Sequence, residues 1–265
     1  VNLITRIYPV KRPSELSEDA SWETTRTWLE GEYFPFYSYS LSTQRLKETC
    51  PSVGSFEKWL MASYDASTRI PAYQPFALRK ELAGLVDKCP VLLVVMDAMS
   101  WFDCHQFCRC LASKGFQEIE LSTRLSTVPT ITPIAKPSLV RGQLPGQLHE
   151  SEQSSAFYAQ LLAEAMSLNP DEIAYATYAE SPLKDVTRSR KSLYLFLDNE
   201  IDSLVHRHLS SEQRSSMIHD HLRNLAQDIA EARREYLERY GQELAFVVVS
   251  DHGYTELPGE GCERL

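Results

Sequence analysis

Three apolar runs in this chain end on an acidic residue. "VLLVVMD" closes on Asp97, "SLYLFLD" on Asp198, and "AFVVVSD" on Asp251, which His252 and Gly253 follow at once. A single carboxylate in such a place is ordinary, because aspartate is a favoured helix N-cap. Three such endings, one of them carrying an imidazole, make a ligand set suited to Zn²⁺ or Mn²⁺ in a hydrolytic site. Asp198 reads more readily as a cap than as a ligand. A second acid–imidazole pair, Asp202 and His206 in "DNEIDSLVHRH", is spaced four residues apart, so one helical turn sets both on one face. That spacing serves a single metal ion, and equally an ordinary pair on a helix surface. His208, His219 and His221 lie in polar helical sequence and are expected in solvent.

The stretch "STVPTITPIAKPSLV", residues 126 to 140, supplies a candidate nucleophile. Its prolines fix φ and remove backbone donors, which a sequence built for packing alone rarely does at a strand–helix junction. Thr132 is expected as the N-cap of a helix with Pro133 at its first position. The free N–H groups of Ile134 and Ala135 would then face an anion near Thr132. A threonine hydroxyl needs a base or a metal before it attacks anything, and Asp97, Asp251 and His252 could hold such a metal. A plain capped helix remains the alternative for these residues.

These groups need elements to bring them together. Short continuous apolar, β-branched runs mark strands buried on both faces, and ligands in open α/β sheets bind beyond the carboxyl ends of the strands. From residue 90 the chain alternates. It runs strand at "VLLVVMD", helix from Ser100 through Ala112, strand at "FQEIELS", short helix at "PIAKPSLVRG" and helix at "SSAFYAQLLAEAMSL". Strands at "EIAYATY" and "SLYLFLD", a long helix from Glu212 to Tyr240 that Gly241 can end, and a last strand at "LAFVVVSDHG" complete the pattern. This order predicts an α/β sheet between helical layers. Residues 1–88 differ: three amphipathic helices and no strand, read as a helical N-terminal region or cap, with the α/β domain over 89–265.

The 265 residues, 43% hydrophobic, are enough for one large or two small domains. No apolar run approaches the roughly 20 residues that span a bilayer. The chain begins at Val1, not methionine, and is expected to be a fragment. Net charge is −9, which argues against tight binding of a nucleic acid backbone by the chain as a whole. The one compact basic cluster, "TRSRKS" at 187 to 192, reads as a solvated loop. The six cysteines show no disulfide framework and no zinc-knuckle spacing, so reduced thiols in a cytoplasm are expected. "DCHQFCRC" is read as structural cysteine on a helix, with Cys104 and Cys108 buried on one face.

Taken in order, "VVMDAMSW", "VPTITPIAKPSLVRGQLPG", "DSLVH" and "VVVSDHGYTEL" resemble the alkaline phosphatase superfamily, in the form of the PglZ domain of bacterial phage-defence (BREX-type) systems. The resemblance covers roughly residues 90 to 260. It implies an alkaline-phosphatase-like central sheet flanked by helices. It also implies a phosphoesterase with up to two metal ions, Zn²⁺ or alternatively Mn²⁺. By this resemblance Asp97, Asp251 and His252 bind one ion and Thr132 is the nucleophile, with Thr130 the second choice. Asp202 and His206 match two ligands of a second ion, whose further histidine is expected beyond the SDHG motif and is missing from this chain. Lys136 and Arg141 are candidates to bind phosphate, or residues of a plain helix surface. A phosphodiester or nucleotide substrate and other defence-system proteins as partners follow from the same resemblance. The competing expectation is a scaffold or nucleotide-sensing subunit that keeps the fold without turnover.

Overall fold

The computed structural model describes residues 10–43, 45–67, 74–145 and 154–254, which form two compact units, 10–67 and 74–254. In the first unit the aromatic positions set the packing. Ser21 caps α1 (Trp22–Trp28) by accepting from Thr24 N, and the helix runs through a wider π-turn at Leu29–Tyr33 into α2 (Phe34–Ser42). Trp22 and Trp28 are buried, and Trp59 of α3 (Cys50–Ser67) meets Trp22 at 6.2 Å between ring centroids. Each buried indole N–H needs an acceptor. Trp28 Nε1 donates to Ser14 O at 2.8 Å and Trp59 Nε1 to Ala20 O at 2.9 Å, which pins the leading segment onto the helices.

The second unit is built on four parallel strands. They are β1 (Val91–Met96), β2 (Ile173–Thr177), β3 (Leu193–Asp198) and β4 (Ala245–Ser250), in the spatial order β2-β3-β1-β4. The central strands β1 and β3 are buried throughout, as their unbroken apolar sequences require. Their side chains alternate between two cores. Leu92, Val94, Met96, Tyr194 and Phe196 face α5 (Trp101–Ser113) and the long α10 (Ser211–Tyr240). Val91, Leu93, Val95, Leu193, Leu195 and Leu197 face α4 (Gln74–Val86), α6 (Thr132–Arg141) and α7 (Ser155–Met166). Helix α4 therefore lies in the unit of the sheet.

Helix ends follow local chemistry. Ser100 and Asp103 form a reciprocal capping box at the start of α5, and Gly241, at φ 64°, closes α10 in the left-handed conformation that glycine adopts without penalty. Two short helices, α8 (Leu183–Val186) and α9 (Glu200–Val205), flank β3. The expected strand at "FQEIELS" does not form: residues 117–124 are irregular and only Leu125 makes an isolated bridge. Phe116 and Ile119 pack on the core, with Phe116 edge-on to Phe246 of β4 at 4.8 Å. The segment is thus held by side chains, without a backbone ladder. No helix among the described residues is long and apolar enough to cross a membrane.

Candidate active site

Parallel pairing puts the three acidic strand endings at one edge. Met96 is in register with Asp198 on one side and with Ser250 on the other, so Asp97 and Asp251 both emerge one residue past the ladder. Asp97 N donates to Asp198 O at 2.7 Å, and the turn after Asp97 bends through Ala98 at φ 64°. Asp251 Oδ1 accepts from His252 N at 2.9 Å and Ala98 N at 3.4 Å. Ser250 Oγ reaches across to Met96 O at 3.0 Å, and Ser126 Oγ bonds Asp251 O.

The structure brings Thr132 to this edge. Its Oγ1 donates to Asp97 Oδ1 at 3.0 Å and stands 3.0 Å from His252 Nε2, which is itself 3.2 Å from Asp97 Oδ1. His252 Nδ1 lies 3.0 Å from Gly253 O; an Nδ1–H donated there leaves Nε2 turned toward the acids. Thr132 is not the cap of its helix, as the sequence suggested. Ile131 holds that position, Thr132 is the first helical residue and Pro133 the second. Ile134 N and Ala135 N both donate to Ile131 O, at 2.9 and 2.8 Å, so neither is free to meet an anion. Because Thr132 has no capping duty, its hydroxyl can turn to the carboxylates. Thr130, two residues earlier in the preceding loop, is exposed.

Lys136 is the residue the sequence placed least well. It follows Thr132 by one helical turn and so shares its face. It is only 3% exposed, donating to Asp97 Oδ2 at 2.6 Å and to Asn199 Oδ1 at 3.2 Å. The signal for this was its spacing of four residues from Thr132, and the structure buries residues 135 to 140 throughout. Asn199, which caps α9, carried no signal of its own. Arg141 does not reach the site. It sits at the opposite end of α6, about 13 Å along the axis at 1.5 Å per residue, and faces Glu164 at 3.6 Å.

Asp202 and His206 do come together, at 3.2 Å, but with each other. The imidazole is exposed, and the pair is not part of the cluster of Asp97, Asp251 and His252, whose ligand atoms lie within 4.8 Å of one another. Asp198 lies one residue before the Asn199 cap of α9 and accepts from Glu200 N at 3.0 Å. Its other oxygen meets His221 Nε2 at 2.9 Å. His221 is therefore buried, not solvated; it lies on the stripe of Ile218, Leu222, Leu225 and Ile229 that α10 turns to the sheet. His219, half-buried, meets Gln106, while His208 is exposed as expected. Cys110 is the buried thiol of α5, and Cys104 and Cys108 are half-buried; none joins a metal cluster among the described residues. Cys262 lies outside the described residues.

The electrostatics follow from two carboxylates placed side by side under cover. Burial pushes the Asp97 carboxyl up, but the His252 hydrogen bond and the Lys136 charge outweigh it and hold Asp97 below its ordinary range. Burial, and then the Asp97 charge, raise Asp251 from 3.8 to about 6. Burial pushes His252 down, yet its bond to Asp97 and the charge of Asp251 lift it to about 9. Tyr158 of α7 is buried nearby, and its phenol is pushed up by burial and by the charges of Asp251 and Asp97. Asp251 Oδ2 is buried with no hydrogen-bond partner, a lone anionic acceptor that a cation would satisfy. Two carboxylates, a correctly turned imidazole and this orphan oxygen fit a divalent metal.

A parallel sheet with acid and imidazole ligands beyond its carboxyl edge, and a threonine at a helix start beside them, defines an alkaline-phosphatase-like α/β domain. The family model described as the BREX system PglZ alkaline phosphatase-like domain matches residues 78–264, and the chain belongs to the PglZ family. The match begins within α4, the helix that packs on the sheet. This makes the chain a phosphoesterase-like domain of a defence-associated system. No curated protein matches the sequence.

Proposed function

We propose that this domain is a metal-dependent phosphoesterase that cleaves phosphodiester bonds, including those of nucleotides, with Thr132 as nucleophile. The observation that supports it most is the position of Thr132 Oγ1, 3.0 Å from both Asp97 Oδ1 and His252 Nε2, beside the unpartnered Asp251 Oδ2. Asp97, Asp251 and His252 would hold the ion, Zn²⁺ or Mn²⁺. When bound it would lower the pKa of the threonine hydroxyl and offset charge on the phosphoryl oxygens.

The chain's own residues do the rest. Asp97 Oδ1 already accepts the Thr132 hydroxyl proton, so the oxygen lone pair is free to approach phosphorus. As the Oγ1–P bond forms, the ester P–O bond breaks; the Thr132 proton passes by way of Asp97 Oδ1 to water, and water protonates the leaving oxygen. Water then cleaves the Oγ1–P bond and restores the hydroxyl. Pro133 supplies no N–H, and those of Ile134 and Ala135 are engaged within the helix. Help for the phosphoryl oxygens then comes from the Thr132 N–H or from side chains, of which Lys136 is the buried cation at hand. Partner proteins of the same defence system are the expected neighbours of the domain.

The test is hydrolysis of an aryl phosphodiester by the protein with Zn²⁺ or Mn²⁺, for wild type and Thr132→Ala. Turnover should fall at least 100-fold in the variant. Equal turnover would sink the threonine mechanism.

A further inference from the structure

We propose that the cation opposite the second oxygen of Asp97 is the Lys136 ammonium, and that this site works with one metal ion and one lysine, not with two metal ions. The proposal rests on the metal centre of Asp97, Asp251 and His252 inferred above. It starts from how Asp97 is shared. Oδ1 serves Thr132 and His252, whereas Oδ2 receives Lys136 Nζ at 2.6 Å. Both side chains are nearly inaccessible, at 3% and 4% exposure. A lysine is rarely taken out of water unless it is paired, and an apolar side chain would fill the same space on α6 more cheaply. A charge kept in such a place needs a use.

The alternative source of positive charge would be an ion held by Asp202 and His206. Those two residues bond to each other at 3.2 Å and lie toward solvent, and they share no cluster with Asp97 among the described residues. What their helix contributes to the centre is Asn199, whose amide oxygen accepts from Lys136 at 3.2 Å. A neutral acceptor at that point suits an ammonium donor better than a divalent ion, which is bound through carboxylate and imidazole.

Charge counting points the same way. Asp97 and Asp251 contribute two negative charges; one divalent ion and Lys136 contribute three positive ones. The net single positive charge matches a phosphodiester anion. A second divalent ion held by Asp202 and His206 beside Lys136 would leave an excess of two, one more than a phosphodiester anion offsets. Lysine carries three donors. Asp97 and Asn199 take two of them, and the third has no partner among the described residues, which leaves it for a phosphoryl oxygen of the substrate.

The experiment counts ions. Wild type, the double variant Asp202→Ala/His206→Ala and Lys136→Met are loaded with Zn²⁺, freed of excess ion, and assayed for metal per chain by mass spectrometry. Calorimetric titration with Mn²⁺ gives an independent count. Wild type and the double variant should each hold one ion. Lys136→Met should still bind metal while its Thr132-dependent turnover of an aryl phosphodiester falls at least 100-fold, with Lys136→Arg recovering part of the loss. Two ions in wild type, one of them lost in the double variant, would overturn the proposal even if Thr132 remained essential. So would wild-type turnover in Lys136→Met. Should Lys136→Met fail to fold, the ion counts of the other two proteins still decide. A chain that binds no ion, and whose turnover ignores Thr132, would instead overturn the metal centre itself.

Discussion

Replacing Asp251 with asparagine should stabilise the metal-free protein and abolish its response to metal. Asp251 Oδ2 is buried without a partner, and the carboxyl is raised from 3.8 to about 6, first by burial and then by the Asp97 charge. A folded-state value above the unfolded one means that ionisation of this acid opposes folding. The penalty is absent below 3.8, grows between 3.8 and about 6, and is complete above that. At 1.36 kcal/mol per pKa unit, the gap of about two units is worth about 3 kcal/mol near neutral pH. Asparagine can keep the bonds from His252 N and Ala98 N through its own Oδ1. Its new N–H group is a buried donor costing about 1–3 kcal/mol, so a net gain of up to about 2 kcal/mol is expected in chelator. Metal should reverse the order. At a hundred times its dissociation constant an ion adds about 2.7 kcal/mol to wild type, and the variant, lacking one anionic ligand, should gain little. Urea denaturation of both proteins at pH 7.5, with chelator and with Zn²⁺ or Mn²⁺, measures all four values. A second chelator series toward pH 4 should show the difference shrinking. A variant less stable than wild type in chelator, or one gaining as much from metal, would refute the reasoning.

Other substitutions probe parts of the frame. Arg141→Ala should leave aryl phosphodiester turnover within about twofold of wild type, because Arg141 stands at the far end of α6; a tenfold loss would return it to the phosphate. His221→Leu should cost about 1–3 kcal/mol in urea denaturation, since it leaves Asp198 Oδ2 buried without its partner, and no measurable loss would show the pair to be dispensable. The hydrogen bond from Cys104 lowers the Cys108 thiol to about 7, so alkylation of Cys108 should reach half its maximal rate near pH 7. Cys104→Ala should move that midpoint upward, toward the value of about 8.5 for a free thiol, and an unmoved midpoint would refute the assignment.

The strands and long helices were legible because their signals are local. Continuous apolar runs gave β1 and β3, and the 3.6-residue stripe with a glycine stop gave α10. The triad of Asp97, Asp251 and His252 was legible for a topological reason: parallel strands that end alike bring their next residues to one edge. What failed depended on neighbours distant in sequence. "FQEIELS" has strand composition, yet packs through Phe116 and Ile119 without a ladder partner. Thr132 and Pro133 read as cap and first turn, but the helix begins one residue earlier, and a single-residue shift decides whether a threonine hydroxyl caps or faces a metal site. Lys136 and His221 were judged by their charge and polar surroundings. Their helical spacing relative to Thr132 and Ile218 would have placed both inside.

The groups at this edge make sense only if stability and chemistry are weighed together. A sheet that merely had to fold would not bury two carboxylates whose ligand atoms lie within 4.8 Å of an imidazole and of each other. The chain offsets part of that charge itself: His252 and Lys136 both lean on Asp97, which is why Asp97 ionises more readily than Asp251. The compensation is uneven. Asp97 has three donors, and Asp251 Oδ2 has none. If these pairs served stability alone, a second lysine or arginine would belong beside Asp251 Oδ2, which has no hydrogen-bond donor. Its absence among the described residues leaves a gap of the right sign for a divalent ion, and metal binding should therefore raise stability most through Asp251, whose second oxygen has no hydrogen-bond donor and meets only the His252 imidazole, at 3.9 Å.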